Sequence, residues 1–152
     1  MSVAQVAGVA VLALGIASRQ AMSVDVENCV DLLSSAGSFE TLTLTADISC
    51  SGDPITIPSG NEVTVMGGGY SIEIDTGFSG ESLFENDGTL TLNNVLVSET
   101  VWNGLTTGVR AIINTGTLTV IECTFQSLNQ KGGSSLRKGG AVSDNSSNVW
   151  YY

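Results

Sequence analysis

Asn86-Asp87-Gly88-Thr89-Leu90-Thr91-Leu92 returns as Asn114-Thr115-Gly116-Thr117-Leu118-Thr119-Val120, displaced by 28 residues. A period in the range of about 20 to 50 residues marks a unit that cannot bury its own apolar face and must stack on its neighbours. Stacking brings equivalent residues to about 4.8 Å, where like side chains cover like. The repeat therefore predicts Asn86 over Asn114 as a stacking ladder, Gly88 over Gly116 as a shared corner and Leu90 over Leu118 as an inner seam. A weaker third copy is read at Gly140-Ala141-Val142-Ser143-Asp144-Asn145.

Working outward from this repeat, apolar pairs with one polar or small residue between them run along the chain. They are Leu42/Leu44, Ile55/Ile57, Val63/Val65, Ile72/Ile74, Leu90/Leu92, Val95/Val97, Leu118/Val120 and Cys123/Phe125. Each is the signature of a half-buried strand. Gly, Asn and Asp clusters such as Pro58-Ser59-Gly60-Asn61 and Gly67-Gly68-Gly69 separate them as turns. Before the first strand, Val26, Cys29, Val30 and Leu33 follow helical spacing, with Asp25 and Glu27 in the first turn and Gly37 as a stop. This predicts a helix over Val24 to Ala36 that caps one end of the strand stack. No later segment reads as a crossover helix, so alternating βαβ folds are excluded.

The chain has 152 residues, 15 acidic against 5 basic, and a formal net charge of −10. Such a chain repels phosphate backbones, and nucleic acid is not expected as a partner. Charged residues make up only 13%, well below the usual ~25%, which suits a strand-rich surface covered by neutral polar side chains.

The run from Val6 to Ala17 has the length of a signal-peptide core and is too short to span a bilayer. Cleavage is read after Ala17 or after Ser23, although the preceding residues contain no Lys or Arg. Residues 1–23 are thus expected to be a signal peptide, 24–38 the capping helix and 39–152 the strand stack, with an extracellular or cell-surface destination. In an oxidising compartment Cys29 and Cys50, 21 residues apart, are a candidate disulfide. Cys123 stands where Val95 stands one repeat earlier and reads as a small buried hydrophobe. Asn145-Ser146-Ser147 is a candidate glycosylation sequon at Asn145.

Over residues 40–152 the chain resembles right-handed parallel β-helix proteins of the pectate-lyase-like superfamily. Ala111-Ile112-Ile113-Asn114-Thr115-Gly116-Thr117-Leu118-Thr119-Val120, followed by Gly139-Gly140-Ala141-Val142, is similar to the repeats of polymorphic outer-membrane-type surface proteins. Gly139 to Val142 matches the Gly-Gly-Ala motif of that family, while Phe125-Gln126-Ser127-Leu128 lacks the Asn of its Phe-x-x-Asn motif. The resemblance implies an all-β, right-handed parallel β-helix, a solenoid of about 4–5 turns at typical repeat lengths, with a short N-terminal amphipathic capping helix. The strand-like ending at Val149-Trp150-Tyr151-Tyr152 reads as a stack truncated at its C-terminus, with self-association through the uncapped rung expected.

Chemistry is sparsely encoded. The chain has no histidine, which excludes Ser-His-Asp and Cys-His systems and a histidine base for this chain acting alone. The solenoid segment offers only Arg110, Lys131, Arg137 and Lys138 as basic groups, three of them in a Gly/Ser-rich loop. The acidic pairs Glu73/Asp75 and Glu85/Asp87 lack a calcium-loop signature and read as solvated. No catalytic residue, metal ligand or cofactor is assigned. The expected role is a non-catalytic secreted or cell-surface β-helix fragment in binding, adhesion or structural display, with a polysaccharide or cell-surface glycan as partner. The alternative is a pectate-lyase-like lyase or glycoside hydrolase whose catalytic turns are missing from the chain. A second alternative is an ice-binding solenoid built on Thr41/Thr43/Thr45, Thr89/Thr91 and Thr117/Thr119, against which the unequal spacing of these groups argues. Trp102, Trp150, Tyr151 and Tyr152 are the aromatic residues able to stack on sugars.

Overall fold

Alternating apolar and polar residues become strand along most of the chain, because an apolar pair can face inward only while the Thr, Ser or Glu between faces out. The computed structural model describes residues 22–37, 40–99, 109–126, 142–144 and 149–151. The chain begins with β1 (Met22–Val26), α1 (Cys29–Ser35), β2 (Glu40–Leu44), β3 (Ile48–Gly52) and β4 (Ile55–Ile57). It continues through β5 (Glu62–Met66), β6 (Ser71–Phe78), β7 (Ser82–Asn86), β8 (Thr89–Asn93), β9 (Leu96–Glu99) and β10 (Arg110–Asn114). The remaining strands are β11 (Thr117–Ile121), β12 (Thr124–Gln126), β13 (Val142–Asp144) and β14 (Val149–Tyr151).

All pairings between these strands are parallel. They form a six-stranded sheet in the order β1-β2-β5-β8-β11-β14 and two four-stranded sheets, β13-β10-β7-β4 and β12-β9-β6-β3. From β2 onward the chain visits the three sheets in strict rotation, so each strand from β5 on pairs with the strand three places earlier.

The expectation of a right-handed β-helix, a closed solenoid of about 4–5 turns, is corrected by this arrangement. Among the described residues the strands are divided among three separate parallel sheets, each with two open edges, and no ladder joins one sheet to the next. The reason is physical. A sequence repeat specifies which residues lie in register along a stack, since the hydrogen bonds run between repeats. It carries no hydrogen-bond code for how one sheet meets the next. Within a sheet the register is as the repeat predicts, with Leu90 paired to Leu118 and Asn86 to Asn114.

Inward residues form continuous apolar columns. Val63, Leu90 and Leu118 make one, Leu42, Val65, Leu92 and Val120 a second, Ile55, Phe84 and Ile112 a third, and Ile48, Ile72 and Val97 a fourth. All of these residues are buried. Truncating one such Leu or Ile to Ala costs about 2–5 kcal/mol. Two strands escaped the period-2 reading. In β7 and β10 the adjacent residues Leu83-Phe84 and Ala111-Ile112 are all buried, so both sheet faces are covered there and alternation disappears.

The helix is shorter and rotated relative to expectation. Val24 and Val26 belong to β1, which pairs with β2, and α1 starts only at Cys29. Asn28 sets that start: its backbone is extended, its side-chain oxygen accepts from the Asp31 amide at 3.0 Å, and its Nδ2 donates to Asp31 Oδ2 at 2.7 Å. Starting there, the helix turns Leu32 inward, followed by Ala36 at its C-cap, while Val30 and Leu33 are 73% and 42% exposed. The apolar spacing from Val26 gives a different helical phase because Val26 belongs to a strand and the helix is set by Asn28.

Candidate functional site

The outward face of the six-stranded sheet carries an unbroken column of hydroxyl side chains. Register links Ser23 to Thr41, Thr41 to Thr64, Thr64 to Thr91 and Thr91 to Thr119. Trp150 takes the next register position on β14. On one side lie Glu62, Thr89 and Thr117, and on the other Asp25, Thr43, Met66, Asn93 and Ile121. The unequal sequence intervals between the threonines do not disturb the column, because loops of different length between the sheets absorb the difference. Thr64, missing from the sequence reading for want of a Thr-x-Thr partner, is part of it. These threonines are half-buried, since each β-branched side chain packs against the one above and below, with χ1 restricted. Strand neighbours in the buried columns hold the face rigid from behind.

At the corner leading into this sheet, Asn86 and Asn114 stack as the repeat predicts. Asn86 Nδ2 donates to Asn114 Oδ1 at 2.6 Å and to the Thr117 carbonyl at 2.9 Å, and Asn114 Nδ2 donates to the Gly116 carbonyl at 3.2 Å. Both residues are buried. Asn86 Oδ1 accepts no hydrogen bond, because the residue in register beneath it is Ile57, which has no donor to offer. The corner is closely stacked. A Cβ on Gly116 would overlap the Gly88 carbonyl oxygen, and one on Gly88 would overlap the Pro58 carbonyl oxygen.

Cys29 and Cys50 are joined by a disulfide that ties the first residue of α1 to β3. Cys123 is free and half-buried, where Val95 in the preceding layer is fully buried. Burial pushes its thiol up from the ordinary value, which lowers the thiolate fraction and with it the reactivity. Asp47 Oδ1 accepts from the Ser71 amide at 2.7 Å and the Ser71 hydroxyl at 2.8 Å. Those two bonds, the amide first, hold its carboxyl below the usual carboxylate range.

The acidic pairs are engaged locally. Asp75 accepts from the Thr76 amide at 2.6 Å and from its hydroxyl at 3.1 Å, and Asp87 accepts from the Thr115 hydroxyl. Among the described residues no three of His, Cys, Asp and Glu come together as a metal-binding group. Arg110 lies 3.6 Å from Glu81 in an exposed ion pair, of a kind worth about 0–1 kcal/mol. Trp102, Lys131, Arg137, Lys138, Asn145, Tyr152 and the apolar run Val6 to Ala17 lie outside the described residues. No protein family, curated protein or solved structure matches the chain.

Proposed function

We propose that this chain is a non-catalytic secreted or cell-surface binding module whose ligand, a polysaccharide or surface glycan, meets the outward face of the six-stranded sheet. The observation that carries this reading is the in-register column Ser23, Thr41, Thr64, Thr91 and Thr119. Rows of hydroxyls on a rigid, largely uncharged face suit an uncharged, hydroxyl-rich ligand. The Cys29–Cys50 bridge supports an oxidising destination. Of the two cleavage sites, the one after Ala17 leaves β1 whole, whereas cleavage after Ser23 would remove two residues that pair with Glu40 and Thr41. N-terminal sequencing of the secreted protein checks this choice.

The test of function is binding of the secreted chain to a panel of neutral and acidic polysaccharides, with Thr91→Lys as the disrupting variant and Thr56→Lys, on the exposed face of β4, as the control. Binding lost only in Thr91→Lys supports the reading. Release of reducing ends or unsaturated uronates by the unaltered chain would replace it with an enzymatic one. The same column favours a second reading, ice binding. Threonines recur about 4.8 Å apart across strands, close to the repeat of the ice lattice along its a axis, and Thr89, Thr91, Thr117 and Thr119 form a two-by-two block. Arrest of ice recrystallisation that is lost in Thr91→Lys supports it; its absence removes it.

A further inference from the structure

The chain has two prolines, and the residues before them differ in kind: Pro58 follows Ile57, whereas Pro54 follows Asp53. An Asp-Pro linkage carries the means of its own cleavage. The side-chain carboxyl can close a five-membered ring on its own carbonyl carbon, and the proline nitrogen, a tertiary amide without an N–H, leaves readily once it takes a proton. The bond falls between β3, which ends at Gly52, and β4, which begins at Ile55. Cutting it breaks no strand.

The fold grips this bond from the next layer. Phe78, the last residue of β6, is in register with Gly52, which sits at φ 97°. Ser79 donates its amide to the Gly52 carbonyl at 2.7 Å and its hydroxyl to the same carbonyl at 2.8 Å. That hydroxyl also lies 3.2 Å from Asp53 Oδ1. Gly80 closes on the other side of the bond, where a Cβ would overlap Pro54 Cγ and come within 2.8 Å of Phe78 Cε1. Ser79 and Gly80 thus hold the amino and the carboxyl side of one peptide bond. Asp53 is exposed and Pro54 half-buried, so the reacting carboxyl meets water while the proline ring stays packed.

We infer that Asp53–Pro54 is a self-cleavage site, at which the folded chain converts itself into two pieces that remain assembled. Ser79 engages Oδ1 of Asp53, and Oδ2 attacks the Asp53 carbonyl carbon. The C–N bond to Pro54 breaks, the carboxyl proton passes to the proline nitrogen, and Asp53 is left as a cyclic anhydride. One water then opens the anhydride, giving Asp53 as a C-terminal residue with two carboxyl groups and Pro54 as a new amino terminus. No other reactant is consumed. Backbone held on both sides removes torsional freedom that a free peptide must lose before the ring can close, which makes Ser79 a positioning residue.

The piece ending at Asp53 keeps β1, α1, β2 and β3 together with both halves of the Cys29–Cys50 bridge, so the disulfide does not span the cut. Strand pairing does, between β2 and β5 and between β3 and β6. α1 packs against β1, β2 and β3 of its own piece and against β4 of the other, across the end of the array that these strands begin.

The experiment holds the purified full chain at pH 4, where carboxyl groups begin to carry the proton that the step uses, beside a synthetic peptide of residues 51–58. Intact mass is expected to show one piece ending at Asp53 and one beginning at Pro54, formed at least about tenfold faster from the folded chain than from the peptide. The pieces are expected to elute together in size exclusion until urea parts them. Asp53→Glu, which would need a six-membered ring, and Pro54→Ala, which removes the leaving group, are expected to stop cleavage. Ser79→Ala is expected to slow it several-fold, and Ser79→Thr, which keeps the hydroxyl, to restore it. Circular dichroism checks that each variant keeps its strands. Absence of the two pieces, or cleavage no faster in the folded chain than in the peptide, would overturn the inference, as would pieces that separate without denaturant or a rate indifferent to Ser79→Ala.

Discussion

Two corners of this chain recur in consecutive layers, and only one of them repeats its residues. The corner between β7 and β8 and its copy between β10 and β11 share Asn at one position and Gly at another, Asn86 with Asn114 and Gly88 with Gly116. The corner between β8 and β9 and its copy between β11 and β12 share a left-handed backbone, φ 52° at Asn94 and 51° at Glu122, but not the residue. At the first corner the constraint acts between layers: one amide bonds the next, and one backbone leaves no space for a Cβ on the other. At the second the layers also stack, since a Cβ on Gly67 would overlap the Asn94 carbonyl oxygen, but no side-chain bond links the two left-handed residues, whose dihedrals favour Asn or Gly and admit Glu at a cost. A corner whose side chains bond across layers therefore keeps its residues, while one in which only backbone stacks keeps its conformation.

The sharpest way to break this comparison is Gly116→Ala. The added Cβ meets backbone, the Gly88 carbonyl oxygen and the Asp87 carbonyl carbon at 2.7 Å, which no rotamer change relieves. A loss of at least about 3 kcal/mol in urea unfolding is expected, against less than about 0.5 kcal/mol for Gly37→Ala, where a Cβ meets nothing. An unchanged midpoint for Gly116→Ala would mean that the corners do not touch. Asn114→Ala is next, with an expected loss of about 2 kcal/mol, since Asn86 then keeps only its bond to the Thr117 carbonyl.

At the second corner the expected effect has the opposite sign. Glu122→Gly relieves the left-handed strain and should raise stability by about 0.5 kcal/mol after the added unfolded-state entropy. A loss instead would show that Glu122 contributes more than its backbone conformation. The smallest effect concerns the same corner in the first layer, between β2 and β3, where Asp47 reaches Ser71 one layer on. Its folded pKa is lowered, so its contribution is complete above the ordinary value of 3.8 and is lost as pH falls through the lowered folded value. Urea midpoints between pH 7 and pH 2 should fall less steeply in Asp47→Asn than in the unaltered chain.

Most of the strands were legible because a half-buried strand writes its alternation directly into the sequence, as Val63/Val65 and Leu90/Leu92 do. β7 and β10 were not, because both their faces are covered and Leu83-Phe84 and Ala111-Ile112 carry no alternation. The helix was misread because its start is decided by one hydrogen-bonded cap, Asn28, and not by the apolar spacing around it. The threonine column was legible only in part. Thr89/Thr91 and Thr117/Thr119 announce themselves, but Thr64 stands beside Val63 and Val65 and joins the column only through pairing with Thr41 and Thr91.

By itself the sequence determined the repeat, the Asn86 and Asn114 equivalence, the seam of Leu90 and Leu118 and the strand-rich character of the chain. These rest on contacts between equivalent residues, and equivalence survives in the letters. Only the tertiary structure decided that the strands divide into three parallel sheets, that the threonine column keeps register across unequal loops, and that α1 lies across one end of the array. Those features depend on where sheets and loops sit relative to one another. No local residue preference encodes that arrangement, since its energy comes from side chains far apart in the chain meeting in the core.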